Sequence, residues 1–115
     1  MSLDVHLYLE VDVGSGDLEE VEFYSANITH NLGEMAKEAG IYHCLWRPDE
    51  YNYVYAEDLI EMLEKGLYDL KDEPEYFEQF NASNGWGLYE NFVPFVEKYL
   101  DACKRYPLTK IRVSR

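Results

Sequence analysis

Leu3, Val5, Leu7, Leu9, Val11 and Val13 alternate with Asp4, His6, Tyr8, Glu10 and Asp12. Period two over this length predicts a strand over 3–13 with one apolar face and one wet face. Gly14-Ser15-Gly16-Asp17 has the composition of a hairpin loop. A second strand is expected over about 18–25, antiparallel to the first, with Val21 and Phe23 inward and Glu20, Glu22 and Tyr24 outward. Beyond it the pattern changes. Ser25 to Asn31 is polar around an isolated Ile28 and reads as a connection. Leu32, Met35, Ala36 and Ala39 then recur at helical spacing, with Thr29 or Asn31 as cap and Gly40 as stop.

The segment 41–55 is apolar, then broken at Arg47-Pro48, then aromatic. It reads as a loop with a short helical turn. Leu59, Ile60, Leu63, Leu67 and Leu70 form the clearest helical stripe, over 56–72. Pro74 opens a short helix through Phe80. Asn81 to Gly87 is rich in turn residues. A second long helix over 88–105 buries Leu88, Phe92, Phe95, Val96, Tyr99 and Cys103, with Pro94 near its second turn as a candidate kink. Pro107 ends it, and 110–115 alternates again as a final strand, expected to pair with the first. The order β-β-α-α-α-β predicts a single α+β domain over 1–115: a three-stranded antiparallel sheet with helices packed on one face.

At 115 residues the chain is long enough for one core and needs no disulfide or metal staple. Eleven Tyr and five Phe make that core and its margins aromatic. Cys44 and Cys103 lack metal-ligand spacing and lie in apolar surroundings, so both are expected to be buried, inert thiols. Their use without a secretory leader points to a reducing, cytoplasmic setting, and no apolar run reaches the length of a membrane span.

Charge changes the picture more. The net charge is −13. Residues 1–97 carry 4 basic and 22 acidic side chains, a net of −18. Residues 98–115 carry six basic side chains and Asp101, a net of +5. The acidic body repels phosphate backbones, which argues against direct nucleic-acid binding and favours a partner with a basic surface. Residues 47–80 alone carry 3 basic and 11 acidic side chains, a stretch that suits either a solvated helix face or a mimic of a phosphate backbone.

No nucleophile elbow, phosphate-binding loop, dinucleotide fingerprint or H-E-x-x-H occurs, so no catalytic residues, metal ligands or cofactor are assigned. His6, His30 and His43 are too dispersed for a metal set. Candidate ligand chemistry lies in the polar stretches at element ends: Asn27, Thr29, His30 and Asn31 in one, Arg47 beside Trp46 in another, Trp86 and Tyr89 in a third, with Arg112 on the last strand. Each has a structural explanation as a cap, turn former or core anchor. Together, helix N-termini, an arginine and aromatic walls also suit a small anionic or nucleotide-like ligand.

Ser25-Ala26-Asn27-Ile28-Thr29-His30-Asn31-Leu32, Leu45-Trp46-Arg47-Pro48, Asn84-Gly85-Trp86-Gly87-Leu88-Tyr89-Glu90-Asn91 and Ile111-Arg112-Val113-Ser114-Arg115 resemble a family of small proteins encoded by bacteriophages and prophages. The resemblance spans nearly the whole chain and brings no functional residues with it. It implies an accessory protein inside an infected bacterium. The leading expectation is therefore a non-enzymatic protein that binds a host protein with a basic surface, inhibition of a defence system included. A small-ligand binder is the alternative, and a small hydrolase or metal enzyme using His30 ranks last. The long first strand, if left at an edge, would also favour a homodimer.

Overall fold

The computed structural model describes residues 2–115. The sheet is built from β1 (Ser2–Asp12), β2 (Leu18–Thr29) and β3 (Lys110–Ser114), in the order β2-β1-β3 and antiparallel throughout. Five helices accompany it: α1 (Gly33–Glu38), α2 (Tyr42–Trp46), α3 (Ile60–Asp72), α4 (Pro74–Glu78) and α5 (Tyr89–Arg105). Short 3-10 turns at His30–Leu32, Pro48–Tyr51 and Ala56–Leu59 join or extend them. This is the α+β arrangement expected from the alternating and helical patterns. No helix among the described residues is long and apolar enough to cross a membrane.

Leu3, Val5 and Leu7 of β1 are fully buried against the helices. They meet Leu63 and Leu70 of α3 and Phe92, Val96, Tyr99 and Cys103 of α5 in one apolar cluster. Cys44 and Cys103 are both free and fully buried, and burial pushes each thiol up to about 12, so neither is a nucleophile at neutral pH. The α5 helix continues through Pro94.

Two features differ from the pattern-based expectation. First, β2 runs on to Thr29, so Ser25, Asn27 and Thr29 belong to a strand. Second, the apolar phase of β2 changes midway. Leu7 faces Tyr24 while Tyr8 faces Glu22, which leaves Phe23 as the extra residue of a β-bulge. Tyr24 and Ala26 therefore turn towards the core, Ile28 is buried in it, and Tyr24 stacks on Tyr99 at 6.0 Å between ring centroids. Phe23, 39% exposed, sets its ring 5.2 Å from Tyr106 at the end of α5, and Val21, 40% exposed, stands further out on the hairpin, whose exposed tip projects past the helices. That projection makes the molecule 53 × 27 × 23 Å with a radius of gyration of 15.0 Å, above the roughly 13 Å of a rounded chain this size. As the expected pairing of the final strand with the first requires, β1 is the central strand, and the two edges belong to β2 and β3.

Gly40 ends the first helical segment in the left-handed region, at φ 75°. Thr29 accepts a 3.3 Å bond from the Asn31 N–H and so caps the turn that follows β2.

Candidate functional site

The end of β2 and the loop before α5 come together. The Asn31 side-chain amide donates to the Trp86 carbonyl at 2.7 Å. The loop holds its own shape: Asn84 Oδ1 accepts from the Trp86 N–H at 2.9 Å, and Asn81 Oδ1 accepts from the Tyr89 N–H at 2.7 Å. Gly87 permits the approach. Its φ is 121°, and a Cβ there would sit 2.8 Å from the Cβ of Asn31.

Between these segments and α5 lies a cleft of about 860 Å³. One wall is Tyr24 and Ala26 to Thr29 of β2. The other is one face of α5, formed by Asn91, Pro94, Phe95 and Lys98 at i, i+3, i+4 and i+7. Asn84 to Gly87 close one end, where Trp86 stands 71% exposed. In a protein with 23 carboxylates, none of the lining residues is acidic. Among the described lining residues the only charged side chain is Lys98, and it has no described carboxylate within ion-pair distance. The cleft offers amides, hydroxyls, one ammonium and aromatic surface.

The strand wall is unusual in that Ala26, Asn27, Ile28 and Thr29 all line it consecutively. Side chains on a strand alternate faces, so four in a row mean that the strand presents its edge. The ladder on the far side of the sheet fixes which backbone groups point there. Ile111 donates to the Val54 carbonyl at 3.0 Å and Ala56 to the Thr109 carbonyl at 2.9 Å, so Arg112 bonds inward to its partner His6. Alternation along β1 then turns Val5 and Leu7 to Ala26 and Tyr24 of β2. Ser25 and Asn27 are left with N–H and C=O directed away from the sheet, Asn27 along the cleft, and neither has a backbone partner there among the described residues.

Of the eight residues singled out from the sequence, Asn27, Thr29, Asn31 and Trp86 line this cleft. The other four lie elsewhere. His30 sits edge-on to Trp46 at 6.2 Å, with its Nε2 buried and unpartnered. Arg47 pairs with Glu50 at 3.3 Å. The Tyr89 hydroxyl donates to the Leu70 carbonyl at 2.7 Å and ties α5 to the end of α3. Arg112 forms a forked pair with Glu20 on the wet sheet face and lies 4.2 Å over the Tyr8 ring; the pair holds the Glu20 carboxyl below its usual range. No two arginines share the cleft. Asn84, Asn91 and Lys98 complete it. Their signal was the polar stripe of α5 continuing the 84–91 loop. Among the described residues, no group of three His, Cys, Asp or Glu side chains gathers as a metal set.

No protein-family model, curated protein or solved structure matches this chain.

Proposed function

We propose that this chain is a non-enzymatic accessory protein that binds a host protein, in the bacteriophage setting its sequence resemblance implies. The observation that supports this most is the cleft that runs along the unpaired edge of β2. A strand edge with free backbone groups, facing a helix across an apolar and amide-lined groove, is a surface to which a partner chain can bind. The acidic body adds long-range attraction for a basic partner.

A photo-crosslinking residue at position 84, in the cleft, is compared with one at position 61 on α3, in bacterial lysate. A discrete adduct from 84 and none from 61 is the expected result. Equal adducts at both positions, or none at either, contradict the reading.

A second reading is a small ligand in the same cleft. It is supported by the carboxylate-free lining, the exposed indole of Trp86 and Lys98, a set that suits a planar, hydrogen-bonding, anionic molecule. Native mass spectrometry of the protein as purified from bacteria tests it: a reproducible small-molecule adduct lost in Lys98→Glu favours this reading, and a bare chain mass counts against it.

A further inference from the structure

The two edges of the sheet are not equivalent, and one shows what the other can accept. The β3 edge is occupied at its start, from Thr109 to Ile111. Val54, Ala56 and Glu57 bond to the chain at Ile111, Thr109 and Pro107, and Tyr55 bridges Lys110. Asp58 accepts from both the Val54 and Tyr55 N–H groups at 3.0 Å and pins that cover. Beyond it the Arg115 side chain donates to the Trp46 carbonyl at 2.9 Å and to Asp49 at 3.0 Å, while the outward Val113 backbone has no partner among the described residues. The β2 edge has no such cover at Ser25 and Asn27.

The pattern of β3 is also informative. Lys110 and Arg112 point to the wet face, where they meet Glu10 at 3.7 Å and Glu20, while Ile111 and Val113 pack on the core. Next to its acidic central strands this sheet therefore takes a strand that is basic outside and apolar inside. The open edge repeats those conditions. On the wet face beside Asn27 and Ser25 stand Asp4 and Glu22. On the other face, Tyr24, Ala26, Pro94 and Phe95 give apolar contact.

We propose that an extended peptide segment of the partner adds to β2 as a fourth, antiparallel strand, with Lys or Arg at alternate positions on the wet face and apolar residues between them in the cleft. This deepens the protein-binding reading and rests on it. The residues opposite Ser25 and Asn27 bond to them through their backbone and point their side chains outward, so they are the basic ones. Those opposite Tyr24, Ala26 and Ile28 turn towards α5. Alternation thus keeps the partner's cations away from Lys98, which is left to bond backbone carbonyls. A second copy of this chain is the poorer occupant, because each copy carries −13 and the two bodies repel.

The probe is a short, end-blocked peptide of alternating lysine and valine, labelled for fluorescence anisotropy and added to the full chain. Two variants carry the same charge. One is N-methylated at its lysines, the other at its valines. The lysine-methylated peptide is expected to bind weaker by about tenfold or more, since it loses at least two bonds to β2. The valine-methylated peptide, blocked only on its outer edge, is expected to keep its affinity. Asn27→Pro should mimic the first effect from the protein side, because a proline fits an edge position whose N–H faces outward.

Equal loss in both variants, loss only in the valine-methylated one, or no binding of the parent peptide overturns the proposal. So does a dimer in sedimentation with the Asn27 amide protected from exchange before peptide is added. A position-84 adduct persisting alongside any of these results leaves partner binding standing and removes only the added strand.

Discussion

The β3 edge and the β2 edge border the same sheet, yet one is partly covered from within the chain, at Thr109 to Ile111, while the other has no backbone partner at Ser25 and Asn27 among the described residues. At β3, the 54–57 segment supplies backbone partners, Asp58 fixes that segment, and Arg115 reaches Trp46 and Asp49. At β2, the helix that should cover the edge stands off across a cleft, and two loops meet to hold its end open. Unpaired strand edges are a liability in a monomer, because any extended chain can add to them. An edge left open beside a shaped, carboxylate-free groove, in a chain that covers part of its other edge, is better explained by use than by neglect.

Proline scanning breaks this comparison most sharply. Ile111→Pro removes a bonded donor and separates β3 from its cover, with an expected cost of about 2–3 kcal/mol. Asn27→Pro removes a donor that bonds to nothing among the described residues and should cost about 1 kcal/mol or less, mostly through the lost Asp4 contact. Urea midpoints at unchanged slope measure both. Equal costs would mean that the edges are equally finished.

The next largest effect is expected at the loop contact. Gly87→Ala puts a Cβ against Asn31 at a positive φ and should cost about 1–2 kcal/mol while pushing the two loops apart. Asn31→Ala removes one exposed bond to Trp86, an expected loss of about 0.5–1 kcal/mol in a thermal or urea melt. Both should weaken any cleft ligand, and neither should alter a variant confined to the β3 edge.

The pH dependence sharpens the comparison on the closed side. The bond from Arg115 holds the Asp49 carboxyl below its usual range. A carboxyl depressed in the folded state contributes stability above its unfolded value, and that contribution is lost as pH falls through the folded one. The difference in melting temperature between the native chain and Asp49→Asn should therefore be present at neutral pH and shrink on the acid side of the carboxylate range. The smallest effect is expected at Trp86. Its indole is 71% exposed and only its carbonyl holds Asn31, so Trp86→Ala should change stability by about 0.5 kcal/mol or less while removing the quencher-accessible part of the tryptophan emission.

Much of this fold was legible because its cues are local. The six-fold alternation from Leu3 to Val13 identified β1, and Leu59 to Leu70 identified the central helix. The bulge at Phe23 was not legible. An apolar run of Val21, Phe23 and Tyr24 can be phased on either face, and only packing against Tyr99 decides for Tyr24. The polar composition of Ser25 to Thr29 suggested a loop because strands are usually read from burial, and this edge is half in solvent. Asn27, Asn31 and Trp86 were visible as polar or aromatic residues at element ends. Their meeting with Lys98 was not, since it depends on how a 17-residue helix crosses the sheet. Arg47 and Arg112 looked like anion ligands by type; Arg47 pairs with Glu50 three residues on in the local turn, and Arg112 pairs with Glu20 across the sheet, which is a tertiary fact.

Residue-resolved amide hydrogen exchange on the free monomer tests the unequal edges most directly. The Ile111 amide, bonded to Val54, should be strongly protected, whereas the Ser25 and Asn27 amides should exchange close to the rate of an unfolded chain. Protection of Ser25 and Asn27 matching that of Ile111 would contradict the open edge and, with it, the binding surface built on it.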